Sequence, residues 1–293
     1  MNNDVIGIAA ALLSAAAWAA GAILYQKFGR HISSAGMNLT KGVINLLLLS
    51  IVVLLSGYQS MDPVSFSLLG ISGILGIAIG DTLFFEALQK VGAPVLVLLS
   101  LLGQVLTVLF AVAFLGEQLT PLMWSGVFLV AGGITFVVFT RISGSSEKRT
   151  TRAGFICGLG AVLCMSASVI VAKKGLAEVS AVQGTFVRML WGTMGLVIWG
   201  GIRGRLGAWV APFREASTMK HFFLLVSFIS FGGFWLFHVA IKYTEVSVAN
   251  TLSSTEPLFV IPLAAIFLKE RTSGKALAGT LVAMAGILLL CTG

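Results

Sequence analysis

Residues 87–138 read ALQKVGAPVLVLLSLLGQVLTVLFAVAFLGEQLTPLMWSGVFLVAGGITFVV, and residues 240–291 repeat this stretch without a gap as AIKYTEVSVANTLSSTEPLFVIPLAAIFLKERTSGKALAGTLVAMAGILLLC. At this offset of 153, Phe-Leu-Gly-Glu at 114–117 falls on Phe-Leu-Lys-Glu at 267–270, and Gly133 falls on Gly286. Chance alignment of two Leu/Ala/Val-rich helices is the alternative, but the matched glutamates and glycines argue against it. The repeat therefore predicts two halves of one duplicated membrane protein, an organisation typical of transporters.

The composition excludes an ordinary soluble domain. Of 293 residues, 57% are hydrophobic and 10% are charged, whereas about a quarter of the residues in a soluble domain are charged. Mean hydropathy is +1.00. The net charge of +8 comes from basic residues in short turns, which favours topology signals over a nucleic-acid partner. The three cysteines show neither metal nor disulfide spacing, so we predict no metal site and no cofactor.

Apolar runs between polar breaks predict ten membrane spans. The first lacks a basic leader region, so we interpret it as a spanning helix and not as a signal peptide. The predicted spans are 5–25, 36–56, 66–88, 93–115, 121–140, 153–172, 182–202, 219–241, 246–268 and 274–291.

The polar segment 141–152 separates a first half, residues 1–140, from a second half, residues 153–293. The first two spans of each half align at an offset of 147, which places Lys41 on Arg188. Because five is an odd number, the second half enters the membrane from the opposite side. The fold class predicted is an all-α polytopic membrane protein of ten transmembrane helices in two inverted five-helix repeats.

Basic residues predict the orientation. Fourteen of the 19 Lys and Arg residues lie in odd-numbered loops, and the even-numbered loops carry only Lys173, Lys174 and Lys242. The positive-inside rule then places the odd-numbered loops in the cytoplasm and both termini outside. We expect a multi-pass protein of the inner (plasma) membrane.

Glu256 is the leading candidate for a substrate-binding residue. Ionisable groups at membrane depth are costly and are functional hypotheses by default. Glu256 lies in the middle of the ninth span, just before Pro257, and proline frees a backbone carbonyl one turn back near Ser253. Such a broken helix with hydroxyl groups is a typical place to bind a polar solute or a proton. The alternative is a carboxylate paired with a neighbouring helix for structure alone.

Two matched cations and one histidine are further candidates. Arg188 and Lys41 each lie about a turn and a half inside a span, where they can bind an anionic group or neutralise Glu256. Snorkelling of these long side chains to the interface is the alternative. His238, with Trp235 nearby, is a candidate proton carrier or a packing residue.

Asp81, Gln104 and Trp18 complete the predicted site. Asp81 is deeper in the third span than Glu86, so we place Asp81 in the cavity and Glu86 at the interface. Gln104 aligns with Pro257 in the repeat and offers hydrogen bonds to a substrate. Trp18 lies too deep for an interfacial belt, so it is either a pocket wall or a packing residue.

Motifs of soluble enzymes and of ATP motors do not occur. The chain has no HExxH, GxSxG, Walker or dinucleotide-binding pattern. We therefore predict no catalytic residue, and energy coupling from a gradient or from exchange, with protons as a candidate coupling ion.

The whole chain resembles the EamA-type transporters of the drug/metabolite transporter superfamily. The resemblance rests on the first span, Trp18-Ala-Ala-Gly-Ala-Ile-Leu-Tyr-Gln-Lys27, on a cation in the second span of each half, and on the two Phe-Leu-x-Glu endings. It implies a secondary carrier or exporter of small metabolites, often amino acids. It also implies a central cavity enclosed by both halves.

The function predicted is alternating-access transport of a small polar metabolite such as an amino acid. Exchange of phosphate esters or nucleotide sugars is the alternative, and a membrane enzyme or a sensor is less well supported. A small-molecule substrate and the lipid bilayer are the expected partners, and monomer and homodimer both stay open. We place the site where the repeat is broken: Glu256 aligns with Gly103, His238 with Phe85, and Asp81 with Phe234.

Overall fold

The structure is a computed structural model that describes residues 3–29, 32–57, 59–142 and 152–253, together with scattered positions from 255 to 289, Glu256 among them. Most of the described chain is helical, and short turns or loops such as 116–120 and 176–180 join the helices. Its α-helices are α1 (Asn3–Phe28), α2 (Ser34–Ser56), α3 (Pro63–Gly73), α4 (Thr82–Leu115), α5 (Pro121–Ile142), α6 (Arg152–Gly175), α7 (Ala181–Ile202), α8 (Leu206–Val210), α9 (Ala216–Leu225), α10 (Gly232–Tyr243) and α11 (Val246–Ser253).

Six helical segments of the described chain are long and apolar enough to span a bilayer. They are Asp4–Tyr25, Ser34–Ser56, Pro63–Val91, Arg152–Gly175, Ala181–Ile202 and Ala216–Tyr243. These segments are the predicted spans one, two, three, six, seven and eight. They confirm the predicted fold class of an all-helical polytopic membrane protein. The tenth predicted span and most of the ninth lie outside the described residues.

The third and fourth predicted spans are joined within α4, whose backbone stays helical from Thr82 to Leu115. The chain nevertheless reverses direction inside it. A Cβ placed on Gly158 would lie within 4 Å of both Ala87 and Leu99, which on a straight helix would be about 18 Å apart. Two antiparallel spans therefore occupy residues 63–115, as the sequence predicted.

Two π-helices interrupt the third and eighth spans, and the sequence analysis did not predict them. One covers Ile74–Asp81 and the other covers Val226–Phe231. At the repeat offset of 153, the first segment falls on residues 227–234 and so shares residues 227–231 with the second. π-Helical turns are frequent at functional sites. Their occurrence at corresponding positions of both repeats makes the residues beside them candidates for the site.

The basic segment between the seventh and eighth spans is more ordered than the loop we predicted. It contains α8 and a short 3-10 helix, Ala211–Arg214. Trp209 of α8 is buried, and its ring lies 5.2 Å from that of Trp199. Burial of an aromatic ring explains why this segment packs against the bundle despite its charges.

The core of the bundle is the interface between the halves. Helix α1 packs on α10, α2 on α7, and α4 on α6, so each contact joins a first-half helix to a second-half helix. Buried serine hydroxyls donate across it, from Ser14 to the Gly233 carbonyl at 2.7 Å and from Ser72 to the Ser168 carbonyl at 2.6 Å. This packing brings polar side chains from both halves together at the centre.

The glutamate of the first Phe-Leu-x-Glu motif also joins the halves. The Glu117 carboxylate accepts hydrogen bonds from the backbone N–H groups of Val246 at 2.9 Å and Ser247 at 3.1 Å. These are unsatisfied donors of the first turn of α11, where a carboxylate is favoured. The motif therefore caps a helix of the opposite repeat, while its second copy lies outside the described residues.

Candidate functional site

The first buried cluster in the membrane region is built on Lys41 of α2. The Lys41 ammonium forms an ion pair with Asp81, the last residue of the first π-helix, and it also lies 5.1 Å from the centre of the Phe85 ring. The Lys41 side chain is 3% exposed and that of Asp81 is 14% exposed. A buried lysine is retained here because a carboxylate and an aromatic face compensate its lost hydration. Lys41 does not snorkel.

Polar residues one turn apart on α2 bind the third span in the same way. Ser34 donates to the Glu86 carboxylate at 2.9 Å, and the Asn38 amide donates to the Ile77 carbonyl at 2.7 Å. Ile77 lies within the π-helix, so Asn38 satisfies a carbonyl in a segment whose hydrogen bonding is irregular. Glu86 is also paired with Lys90 at 2.7 Å and is more exposed than Asp81, as expected of an interfacial residue.

The second buried cluster joins Arg188 of α7 to His238 of α10. One guanidinium nitrogen of Arg188 contacts His238 Nε2. His238 Nδ1 lies 2.7 Å from the Phe234 carbonyl oxygen. Because a carbonyl can only accept, Nδ1 carries the proton and Nε2 is the acceptor for Arg188. The contact therefore requires a neutral imidazole, and both residues are buried.

Arg188 has two further neighbours. Its guanidinium lies 5.4 Å from the centre of the Phe234 ring and 3.4 Å from the Ser168 hydroxyl. A Cβ on Gly76 would stand 3.2 Å from the guanidinium and 2.5 Å from Ser168 Oγ. Position 76 therefore favours glycine. Because Gly76 has no side chain, the Arg188 guanidinium lies close to the third span of the first half. Arg188 does not snorkel either.

The two clusters are repeat equivalents with exchanged partners. Lys41 aligns with Arg188, Asp81 with Phe234, and Phe85 with His238. In the first half, Lys41 binds the polar residue Asp81 and lies over the ring of Phe85, four residues later. In the second half, Arg188 lies over the ring of Phe234 and contacts the polar residue His238, four residues later. The repeat thus builds two similar cation sites with different chemistry.

Close backbone contacts place both clusters at the centre of the interface. A Cβ on Gly42, next to Lys41, would stand 2.6 Å from Thr193 Oγ1 of α7. A Cβ on Gly73 of α3 would stand 2.2 Å from the Arg188 carbonyl oxygen. Helices α2, α3 and α7 therefore meet at van der Waals distance.

Glu256 is not joined to either cation in the part of the chain that the structure describes. Arg188 contacts His238 and Lys41 contacts Asp81, so neither neutralises Glu256 in this conformation. Glu256 is half-buried, and the hydroxyl of Ser253 is buried without a hydrogen-bond partner among the described residues. A role for both residues in binding stays a prediction.

Of the two tryptophans of the predicted site, Trp18 lies at the contact between α1 and α10, and Trp235 lies in α10 beside Phe231. Trp18 is half-buried, and a Cβ on Gly233 would stand 3.4 Å from its indole nitrogen. The Trp235 indole N–H is buried and has no acceptor among the described residues. The Gln104 side chain lies outside the part of the chain that the structure describes.

Lysines of the even-numbered loops do not extend these clusters. Lys173 donates to the carbonyls of Ile241 at 2.6 Å and Thr244 at 2.9 Å, at the end of α10. Lys242 donates to the Val179 carbonyl at 2.9 Å, and its repeat equivalent Gln89 donates to the Ile32 carbonyl at 3.2 Å. Both lysines stabilise loops by satisfying free carbonyls.

Sequence reasoning missed Phe85, Phe234, Ser168 and Asn38, because none of them is ionisable. The signal was available for the two phenylalanines, since they align with His238 and Asp81 in the repeat. No group of three or more His, Cys, Asp or Glu residues that could hold a metal ion occurs among the residues described.

The sequence model of the EamA-like transporter family matches residues 5–139 and again residues 152–292. The chain belongs to the EamA-like transporter family. An uncharacterized transporter of Archaeoglobus fulgidus is 26% identical to it over 287 residues, which cover 98% of each chain. A crystal structure of a protein 16% identical in sequence superposes with a TM-score of 0.75, over 99% of this chain and 97% of the other.

Membership of the EamA-like family confirms the predicted family and a multi-pass membrane transporter. Such a transporter binds a small-molecule substrate and is surrounded by lipid. The assignment is consistent with the expected absence of catalysis. The superposition on a protein of low sequence identity shows a shared fold over nearly the whole chain.

Proposed function

We propose that this EamA-like protein transports a small zwitterionic metabolite, of which amino acids are the simplest class, across the inner membrane by alternating access. The observation that carries the proposal is the pair of repeat-equivalent cation clusters, Lys41–Asp81 and Arg188–His238, at the interface of the halves. Both cations are buried and have partners within the chain, which a solute can replace. The Arg188 Nε–H group has no acceptor among the described residues and can also donate to a solute.

A zwitterion matches the charges that these clusters offer. A solute carboxylate can replace His238 on the Arg188 guanidinium, which binds carboxylates through two parallel hydrogen bonds. A solute ammonium can share the Asp81 carboxylate with Lys41, since a carboxylate accepts hydrogen bonds at both oxygens. The charges of the protein and of the solute then stay paired. Pairing keeps the free energy of burying them at membrane depth low.

Movement of one half against the other would couple these sites to the two sides of the membrane. Each cluster joins two helices of one half, α2 to the third span and α7 to α10, while α2 and α7 pack across the interface. In inverted-repeat transporters, rocking of one half about a central site alternates access. The π-helical turns beside the clusters offer backbone that can rearrange.

Protons are the proposed coupling ion, and His238 is the proposed carrier. A proton on Nε2 would remove the acceptor that Arg188 uses and place two cations in contact. Protonation would thereby free the guanidinium for a solute carboxylate. Replacing His238 with Phe, the residue at the equivalent position of the first half, should abolish the dependence of flux on a pH gradient.

Uptake into proteoliposomes tests the function. A panel of 14C-labelled L-amino acids should include at least one that is transported by the wild-type protein. Arg188→Gln should reduce its flux at least tenfold, since a paired buried cation is lost. Arg203→Gln removes an exposed loop cation and serves as the control, because it should leave flux unchanged. No transport of any amino acid would refute this substrate class.

Glu256 is tested in the same assay. As proposed, it is a second proton or solute site in the ninth span, supported by its depth and by the unpartnered Ser253 hydroxyl nearby. Glu256→Gln should change the flux and its pH dependence. Unchanged values would remove Glu256 from the site while leaving the two clusters in place.

Exchange of phosphate esters or nucleotide sugars is less well supported by the geometry. A dianionic solute would require several uncommitted cations. Lys41 is neutralised by Asp81, and Lys173 is bound to backbone carbonyls outside the clusters. The panel therefore includes 14C-labelled glycerol 3-phosphate, and transport of this ester in place of amino acids would establish the exchanger.

A further inference from the structure

Helix α2 carries four buried polar residues on one face. Ser34, Asn38, Lys41 and Asn45 are spaced by four, three and four residues, which places them one above another. Each is at most 3% exposed. The first three find partners on the third span, at Glu86, at Ile77 with Thr82, and at Asp81.

Asn45 breaks this series. Neither its amide nitrogen nor its amide oxygen has a hydrogen-bond partner among the described residues, although the residue is 1% exposed. A buried amide without partners is costly, and the cost is greater where lipid excludes water. A natural core retains such a group when something outside the chain satisfies it.

A second unpartnered group faces the same stretch of α2. Thr193 of α7 is 4% exposed, and its hydroxyl has no partner in the described chain. That hydroxyl lies 2.6 Å from the position of a Cβ on Gly42. Gly42 precedes Asn45 by three residues, so the two positions are neighbours on the helix surface, about 5–6 Å apart. Asn45 and Thr193 thus approach one another across the interface of the halves.

Repeat symmetry does not account for either side chain. At the offset of 147, Asn45 aligns with Gly192 and Thr193 aligns with Leu46. At the position equivalent to Asn45 or Thr193, the other half therefore has a residue without a hydrogen-bonding side chain. If these positions served only to pack the helices, the apolar residue found in one half would be sufficient in the other half too.

We propose that Asn45 and Thr193 form a hydrogen-bonding subsite that takes an uncharged hydroxyl or amide group of the solute. The inference rests on the proposed function, in which Lys41–Asp81 and Arg188–His238 bind the charged groups. Asn45 lies one turn from Lys41 on the same face, so one small solute can reach both. An amide supplies donors and an acceptor, and a hydroxyl supplies one donor.

Thermal unfolding in detergent tests whether the subsite is vacant in the empty protein. Asn45→Leu and Thr193→Val remove buried groups that lack partners, so both should raise the melting temperature. Thr185→Val is the matched control on α7. Thr185 is equally buried, but its hydroxyl donates to the Ala181 carbonyl at 2.6 Å, so this substitution should not raise the melting temperature.

Transport of 14C-L-serine and 14C-L-alanine tests what occupies the subsite, because these probes differ by one hydroxyl. The wild-type protein should prefer serine in kcat/KM by about tenfold. Asn45→Leu and Thr193→Val should bring the ratio close to one, while Thr185→Val keeps the wild-type ratio.

The outcomes separate the two proposals. No wild-type preference, an unchanged ratio in Asn45→Leu, or a lower melting temperature of that variant overturns the subsite while the transport function stands. If neither probe nor any other amino acid is transported, the proposed function fails, and the melting temperatures alone then decide whether the subsite is vacant.

Discussion

At the scale of the residue, the pairing of Lys41 with Asp81 sets the consequences of mutation. Removing one partner of a buried ion pair leaves an uncompensated charge, which costs about 3–5 kcal/mol. Removing both partners together can be neutral or stabilising. Lys41→Met should therefore lower the melting temperature strongly, and Lys41→Met with Asp81→Asn should restore most of it. Equal losses in the single and double variants would show that the contact is not a pair.

Sequence reasoning identified all four ionisable residues of the clusters but not which of them pair. From the sequence, Lys41 and Arg188 could either lie in the cavity or snorkel to the interface, and the structure shows that both are buried. The sequence did not predict that Asp81 pairs with Lys41 and His238 with Arg188. Each pairing depends on how the helix is rotated about its axis, and a uniformly apolar sequence has no periodic pattern that shows this rotation. The aligned phenylalanines were the available signal, since an aromatic face can replace a polar partner of a cation.

At the scale of the element, the close crossing of α3 and α7 predicts that one glycine is indispensable. A Cβ on Gly73 would stand 2.2 Å from the backbone oxygen of Arg188, which cannot move without displacing α7. Gly73→Ala should lower the melting temperature and reduce transport, because it separates the helices at the Arg188 cluster. Gly195→Ala is the control on the same interface, where the added methyl group would meet Ala78 at 3.4 Å, an ordinary contact. Its gain in helix propensity, up to about 1 kcal/mol, should leave stability unchanged or higher.

The start of α11 predicts a dependence of stability on pH. Partial burial and the nearby Glu117 carboxylate raise the pKa of Glu245, and Lys173 offsets part of this rise. The Glu245 carboxyl group therefore binds its proton more tightly in the folded protein than in the unfolded chain. The stability that this protonation contributes is lost as pH rises from the unfolded pKa through the folded pKa. Glu245→Gln should raise the melting temperature at pH 7.5 by roughly 1–2 °C, since solvent screens an exposed group. At pH 4 the variant and the wild-type protein should agree. The neighbouring charged groups Glu117, Lys173 and Lys242 are present in both proteins.

Helices were predictable as elements, whereas their interruptions were not. Apolar runs predicted the six long spans of the described chain, because length and hydropathy decide membrane insertion. The π-helices at 74–81 and 226–231 have no comparable signal, since one additional residue per turn changes neither composition nor hydropathy. The reversal between Ala87 and Leu99 was predicted from polar residues, yet the backbone there stays helical.

At the scale of the whole molecule, the structure strengthens the charge argument for orientation. Two of the three lysines in even-numbered loops are committed to internal bonds: Lys173 to the end of α10, and Lys242 to the Val179 carbonyl. Basic residues of the segment 203–220 are exposed instead, and they lie beyond the other end of α7. The free positive charge is therefore more unequal than the sequence count suggests, and it favours cytoplasmic odd-numbered loops.

Cysteine labelling checks this orientation with one residue on each side of α7. Glu178 and Ser217 are both exposed, one before α7 and one after it, so they lie on opposite sides of the membrane. In a background without Cys157, Cys164 and Cys291, Glu178→Cys should react with a membrane-impermeant maleimide on intact cells. Ser217→Cys should react only after permeabilisation. The reverse pattern would place both termini in the cytoplasm.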